Sequence, residues 1–170
     1  MTLRQLKASR TPGGHFRILK KDLEMFMRKK GIYPFGSFQP FNNRILTVDD
    51  DPQIRDLLTT ILSKNGYQTE IATDGFDAGF KIRAFKPGLI ILDLIMPGMD
   101  GFEVCKRVKE NSGTSHIKIL AITGFDSTEN RERIMAAGAG GYLTKPVEMG
   151  TLLRHVKQLF DPGSVGDLVK

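Results

Sequence analysis

The chain has 170 residues, one cysteine and a formal net charge of +6. One cysteine excludes an internal disulfide and suits a reducing compartment, and no apolar stretch reaches the 18 residues a transmembrane helix needs. With no signal-peptide pattern either, a soluble, cytoplasmic protein is expected. The charge is uneven: residues 1–43 hold nine Lys or Arg against Asp22 and Glu24, whereas residues 44–170 hold sixteen basic and seventeen acidic side chains. A basic front segment points to an anionic partner, nucleic acid before membrane, unless it is only a solvated arm. Within it, Leu6-Lys7-Ala8-Ser9-Arg10 and Phe16-Arg17-Ile18-Leu19 flank Thr11-Pro12-Gly13-Gly14, which predicts a β-hairpin. Residues 20–30 read as a helix with Leu23, Phe26 and Met27 on one face. Residues 31–43 carry two prolines and two glycines and read as a linker. The linker also holds Tyr33, Phe35, Phe38 and Phe41, aromatic for a tether and suited to docking on the following domain or a partner chain.

From residue 44 the pattern becomes an alternation of strands and helices. Arg44-Ile45-Leu46-Thr47-Val48 is a short apolar strand that ends in Asp49-Asp50-Asp51-Pro52. Asp51 is a good N-cap with Pro at the first helical position. Asp49 and Asp50 have no such role, and adjacent carboxylates repel unless a cation compensates them; hard oxygen ligands suit Mg²⁺. Pro52–Lys64 carries Ile54, Leu57, Leu58, Ile61 and Leu62 at helical spacing, with Gly66 as its stop. Gln68–Ala72 is a strand, and residues 76–85 form a helix offering Ala78, Phe80 and Ile82 for packing.

Leu89-Ile90-Ile91-Leu92-Asp93 is an unbroken apolar run ending in one carboxylate, followed by the turn Met96-Pro97-Gly98. Such a run reads as a parallel strand buried on both faces, and it delivers its last side chain to the carboxyl edge of the sheet. Taken alone, Asp93 is as well read as a turn cap. Gly101–Glu110 places Phe102, Val104, Cys105 and Val108 on a helix, with Cys105 as a small core residue. Ile117-Lys118-Ile119-Leu120-Ala121-Ile122 ends in the hydroxyl of Thr123. Residues 128–137 form a helix stopped by Gly138, and Gly141-Tyr142-Leu143-Thr144 ends at Lys145-Pro146. Residues 148–160 are a last helix with Leu152, Leu153, Val156, Leu159 and Phe160. Residues 161–170 read as a frayed tail. Five strand–helix alternations predict an α/β, flavodoxin-like, doubly wound five-stranded parallel sheet of order 2-1-3-4-5, preceded by the short hairpin and helix.

Four strand ends thus contribute acid, acid, hydroxyl and amine to one edge. In these residues, over positions 44–160, the chain resembles the receiver domain of two-component response regulators. The resemblance implies that Asp93 accepts a phosphoryl group. It implies that Asp49, Asp50, Asp93 and the backbone carbonyl of Ile95 hold Mg²⁺, that Thr123 hydrogen-bonds the phosphoryl group and that Lys145 pairs with it. Tyr142 occupies the place of the family's switch aromatic, and Lys145-Pro146 matches a bond that is usually cis. The residue types suit the chemistry: a carboxylate attacks phosphorus, and the anionic group in flight needs a divalent cation and a fixed ammonium. Carboxylates are ionised at neutral pH, so no general base is called for. The expected protein is not an enzyme but a phospho-accepting regulator that assists its own Mg²⁺-dependent phosphotransfer. Its partners would be a sensor histidine kinase or phosphotransfer protein, and a phosphorylation-dependent second copy of itself.

Residues 1–30 resemble the wing, and the helix after it, of excisionase and MerR-type winged helix-turn-helix domains. In that family the wing's basic residues approach DNA, which here implies Arg10, His15 and Arg17; His15 reads equally well as a hairpin surface residue. The family's recognition helix precedes the wing, and this chain starts a few residues before it, so a truncated form of a longer protein is expected. The leading reading is a response regulator with a DNA-binding, transcriptional output. The alternative is a stand-alone phosphorelay or protein-interaction receiver with a vestigial front segment. An aspartate-nucleophile phosphohydrolase is disfavoured, because the second acid of that class falls at Ile95.

Overall fold

The computed structural model describes residues 8–10, 16–18, 22, 26, 43–98 and 100–160. The chain forms two compact units, Met1–Phe41 and Asn42–Lys170. In the first, β1 (Ala8–Arg10) pairs antiparallel with β2 (Phe16–Ile18), with Ala8 opposite Ile18 and Arg10 opposite Phe16. This is the pairing expected of a hairpin about residues 11–15. Asp22 and Phe26 are helical, in keeping with the helix expected over 20–30. The turn over 11–14, His15, residues 31–42 of the linker and the tail over 161–170 lie outside the described residues.

The second unit is built from β3 (Arg44–Val48), α1 (Pro52–Lys64), β4 (Gln68–Ala72), α2 (Gly75–Phe85), β5 (Leu89–Asp93), α3 (Gly101–Glu110), β6 (Lys118–Thr123), α4 (Thr128–Ala136), β7 (Gly141–Thr144) and α5 (Met149–Phe160). Its five strands are all parallel, in the order β4-β3-β5-β6-β7, which is the 2-1-3-4-5 order expected. Every residue of β5 is buried, as a strand covered on both faces requires.

Alternate strand residues supply two cores. Leu46, Val48, Ile90, Leu92, Ile119 and Ala121 pack with Ala78 and Ile82 of α2, Phe102, Val104, Cys105 and Val108 of α3, and Ile134 of α4. Ile45, Leu89, Ile91, Leu120 and Ile122 pack with Leu58 and Leu62 of α1 and Leu152 and Val156 of α5. The ring of Tyr67 stacks on Phe160 at 5.7 Å, closing the second core at one end. The free thiol of Cys105 is buried, as expected.

The helices start where sequence chemistry places caps. Asp51, Asp74, Asp100 and Ser127 each accept a hydrogen bond from a backbone N–H of the first turn that follows. Gly66 and Gly138, after α1 and α4, hold φ of +85° and +98°, where a side chain would be strained.

Two expected core residues face solvent instead. Phe80 is 70% exposed, because Ala78 and Ile82 fix the inward face of α2 and Phe80 projects from the opposite side. Leu57 is 54% exposed, because Leu58 and Leu62 take the sheet-facing stripe of α1 and Leu57 lies about 100° round the helix from Leu58. Among the described residues no helix is long and apolar enough to cross a membrane.

Candidate functional site

Four adjacent strands bring their C-terminal ends to one edge of the sheet. Asp49 follows β3, Asp93 ends β5, Thr123 ends β6 and Lys145 follows β7. Asp49, Asp93 and Thr123 stand at the ends of largely buried runs, whereas Lys145 follows the edge strand β7, of which only Tyr142 is buried, so the acids and the hydroxyl are held by the core. Asp49 and Asp93 are 2% and 6% exposed, while Asp50 faces solvent.

Lys145 organises the acids. Its Nζ donates to Asp49 Oδ2 at 2.7 Å and to Asp93 Oδ2 at 2.6 Å. Its backbone N–H donates to the Thr123 carbonyl at 2.8 Å, and the Lys145-Pro146 bond is cis. The other oxygen of each carboxylate serves its own loop: Asp49 Oδ1 accepts from the Asp51 N–H at 3.0 Å, and Asp93 Oδ1 from the Ile95 N–H at 3.1 Å.

The charges do not balance. Burial pushes the Asp49 carboxyl above the usual carboxylate range, opposed by the Lys145 ammonium and the Asp51 N–H and reinforced by the neighbouring Asp93. Burial works against the Lys145 charge too, but its hydrogen bonds to Asp49 and Asp93 outweigh that and raise its pKa. The two shifts look contradictory for one ion pair and are reconciled by stoichiometry: one ammonium is divided between two buried carboxylates, so the cation gains while an acid stays undercompensated. With Asp50 added, three carboxylates whose ligand atoms lie within 4.8 Å of one another face one ammonium. Hard oxygen donors with an excess of negative charge fit a small divalent cation.

The other site positions flank this cluster. Thr123 is fully buried, and its hydroxyl accepts from the Phe125 N–H at 3.1 Å. Tyr142 is buried as well; its hydroxyl donates to the Phe125 carbonyl at 3.4 Å, and the Arg131 guanidinium lies 4.7 Å from its ring centroid. The segment after β6 is therefore tied to both residues read as the switch. Ile95 and Phe125, two residues after Asp93 and Thr123, are apolar and 47% and 67% exposed. Arg10 and Arg17 lie on β1 and β2, and His15 lies outside the described residues.

Two residues were missed by sequence reasoning. Arg55, on the first turn of α1, donates to the Asp49 carbonyl at 2.6 Å and so braces the acidic turn. Its signal was a cation four residues after the capping Asp51. Gly101, the first residue of α3, lies so close to β5 that a Cβ there would meet the Asp93 carbonyl oxygen at 2.1 Å and Leu94 Cα at 2.8 Å. Its signal was a glycine where a helix begins, directly after the capping Asp100.

The response regulator receiver domain family matches residues 45–157. Among curated proteins, the chain is 37% identical over 116 residues to the DNA-binding dual master transcriptional regulator RpaA of Synechocystis sp., covering 68% of this chain and 48% of that one. It is 39% identical over 116 residues to the response regulator MprA of Mycobacterium leprae, covering 68% and 50%. The chain thus spans about half the length of the curated relatives it matches. Among solved structures, the signal receiver domain of the DNA-binding response regulator protein (merR) from Colwellia psychrerythraea superposes with a TM-score of 0.66 at 38% identity, over 69% of this chain and 98% of that one. Sheet order, strand-edge geometry and these likenesses agree that the chain belongs to the response regulator receiver domain family.

Proposed function

We propose that Asp93 is the phospho-acceptor of a two-component response regulator, taking its phosphoryl group from the phosphohistidine of a sensor kinase or phosphotransfer protein. One observation carries the proposal: a single half-buried ammonium, that of Lys145, bridges the buried acids Asp93 and Asp49 at 2.6 and 2.7 Å. A carboxylate oxygen of Asp93 attacks phosphorus, the O–P bond of an acyl phosphate forms, the N–P bond of the donor breaks, and the imidazole leaves with a proton from solvent. Lys145 is within reach of the new phosphoryl oxygens and offsets their charge. Asp49, Asp50, Asp93 and the Ile95 backbone carbonyl would hold Mg²⁺, which supplies a hard divalent charge at the anionic oxygens when bound. The chain turns over no separate substrate; it assists its own modification.

Thr123 is the mobile donor of this reading. Turning its hydroxyl toward the phosphoryl group gives up the bond from the Phe125 N–H, and the Phe125 carbonyl is the acceptor of the Tyr142 hydroxyl. Modification at Asp93 is thereby transmitted to α4, β7 and α5, and the expected readout is association of two copies through that face. The output is transcriptional, with the hairpin arginines Arg10 and Arg17, and His15, as DNA contacts of a winged-helix segment. The basic surplus of residues 1–43 and the DNA-binding relatives support this reading. The alternative is a stand-alone phosphorelay or protein-interaction receiver with a vestigial front segment; the family match covers residues 45–157 and does not include that segment. Both readings suit a cytoplasmic protein.

The test is intact-mass analysis after incubation with acetyl phosphate and Mg²⁺. One added phosphoryl group, labile to base and hydroxylamine and absent from Asp93→Asn, is expected. Uptake by Asp93→Asn at the wild-type rate would overturn the assignment.

A further inference from the structure

Helix α2 carries none of the site residues, yet it presents the largest exposed aromatic surface among the described residues. Phe76 is 86% and Phe80 70% exposed. They lie four residues apart on one face, with Gly79 between them and Arg83 one turn beyond Phe80, at positions i, i+3, i+4 and i+7. A Cβ built on Gly79 would meet nothing within 4 Å, so the backbone there is open to close approach from outside. The inward face of the same helix, Ala78 and Ile82, already satisfies the core. Two exposed phenylalanines on one stripe make an apolar patch of the kind that is often functional on a monomer.

The stripe is complementary to itself. Phe76 stands at its N-terminal end and Arg83 near its C-terminal end. Arg83 is exposed and makes no hydrogen bond or ion pair with any described residue. If two copies of α2 lie antiparallel about a two-fold axis between residues 79 and 80, Phe80 falls on the Gly79 notch of the second copy. Phe76 then falls opposite Arg83, a cation–π pair formed twice. We propose that this α2 face is a homotypic docking surface, and that its occupant is α2 of a second copy of this chain. At these exposures the two phenylalanines offer about 300 Å² per copy, taking roughly 200 Å² for a phenylalanine. That is well short of the ~800 Å² per partner of a stable complex, so the association is weak and concentration-dependent. It does not depend on the chemistry at Asp93, and Asp93→Asn leaves it intact.

The experiment is sedimentation equilibrium of the 170-residue chain from micromolar to millimolar concentration. The wild type is expected to move from monomer toward dimer, and Phe76→Glu with Phe80→Glu to stay monomeric with an unchanged melting temperature. The register has its own test. Phe76→Lys alone sets Lys against Arg83 of the second copy and abolishes association. Adding Arg83→Glu restores it, because positions 76 and 83 are about 10.5 Å apart along their own helix and pair only between copies. A wild type that stays monomeric throughout overturns the proposal, and so does a dimer that survives the double Glu variant. Protection of Phe76 and Phe80 from hydroxyl-radical labelling in a monomer would show another segment or partner on the face and overturns it equally.

Discussion

Gly101→Ala is the substitution for which the structure gives the sharpest expectation. The added methyl carbon would sit 2.1 Å from the Asp93 carbonyl oxygen, about 0.9 Å inside the 3.0 Å that Cβ atoms respect, and 2.8 Å from Leu94 Cα. Each of these neighbours is backbone, so no side chain can rotate away. Either the start of α3 or the Asp93–Leu94 peptide must move, and the hydrogen bond from the Gly101 N–H to the Leu94 carbonyl, 3.0 Å long, is lost or stretched. Overpacking of this kind costs about 1–3 kcal/mol, and the hydrogen bond adds about 1 kcal/mol, for a total of roughly 2–4 kcal/mol. For a domain of about 115 residues the unfolding entropy converts that to a fall in Tm of roughly 8–16 °C. The nucleophile belongs to the displaced residue, so phosphorylation by acetyl phosphate should slow as well, by about 10–100-fold if the shift approaches 1 Å. The assay is thermal unfolding at micromolar protein, where self-association is negligible, with phosphorylation followed by mass. Gly79→Ala is the control: it has open space and lies in a helix interior, so it should stabilise by about 0.5–1 kcal/mol. A Gly101→Ala protein melting within about 2 °C of wild type would refute the close approach.

Three further outcomes are expected. Because burial holds the folded Asp49 pKa above its unfolded value, the stability it contributes is present below the unfolded pKa and lost as pH rises through the folded one. In EDTA at neutral pH, Asp49→Asn should therefore melt higher than wild type, and millimolar Mg²⁺ should raise Tm of the wild type but not of the variant; a variant no more stable than wild type in EDTA would count against the undercompensated acid. The chain should bind DNA weakly, with affinity that falls steeply with salt, and Arg10→Ala or Arg17→Ala should each lower the salt slope by about one, whereas tight sequence-selective binding would mean the hairpin has been misread. The apolar side chains of Ile95 and Phe125 cannot orient a water toward the phosphoryl group, so Ile95→Asn with Phe125→Glu should lose phosphate on the order of tenfold faster, about 1.4 kcal/mol off the barrier, and an unchanged lifetime would remove these residues from the account.

The sheet was legible in the sequence because its strands are read by two independent signals. Ile90 and Ile91 are apolar on both faces, so the run cannot be a half-exposed strand, and Met96-Pro97-Gly98 ends it too soon for a helix. The helices were legible in extent but less so in orientation. Periodicity marks a stripe without saying where the stripe stops: Leu57 and Leu58 both satisfy helical spacing in α1, yet only Leu58 is buried. On α2, Ala78, Phe80 and Ile82 were all read as packing residues, yet only Ala78 and Ile82, four apart on one face, reach the core. Hydrophobicity alone does not distinguish a core residue from a contact residue waiting for a partner.

The site was legible because each of its groups is out of place by the rules that govern the rest of the fold. Asp51, Asp74 and Asp100 are explained by the N–H groups they cap. Asp49 and Asp93 have no helix to cap and are buried at strand ends, where an ionised group persists only if something compensates it. Spacing could not reveal that a single lysine, 96 residues from one acid and 52 from the other, compensates both. That arrangement leaves the cluster short of positive charge in the resting protein. A phosphoryl group arriving alone would deepen the deficit, and a divalent cation arriving alone would cancel it, so acceptor and cation are coupled by charge before any bond forms. Arg55 and Gly101 escaped notice for the complementary reason. They act through backbone, one on the Asp49 carbonyl and the other by making room for Asp93, and a backbone contact leaves little trace in the pattern of side chains.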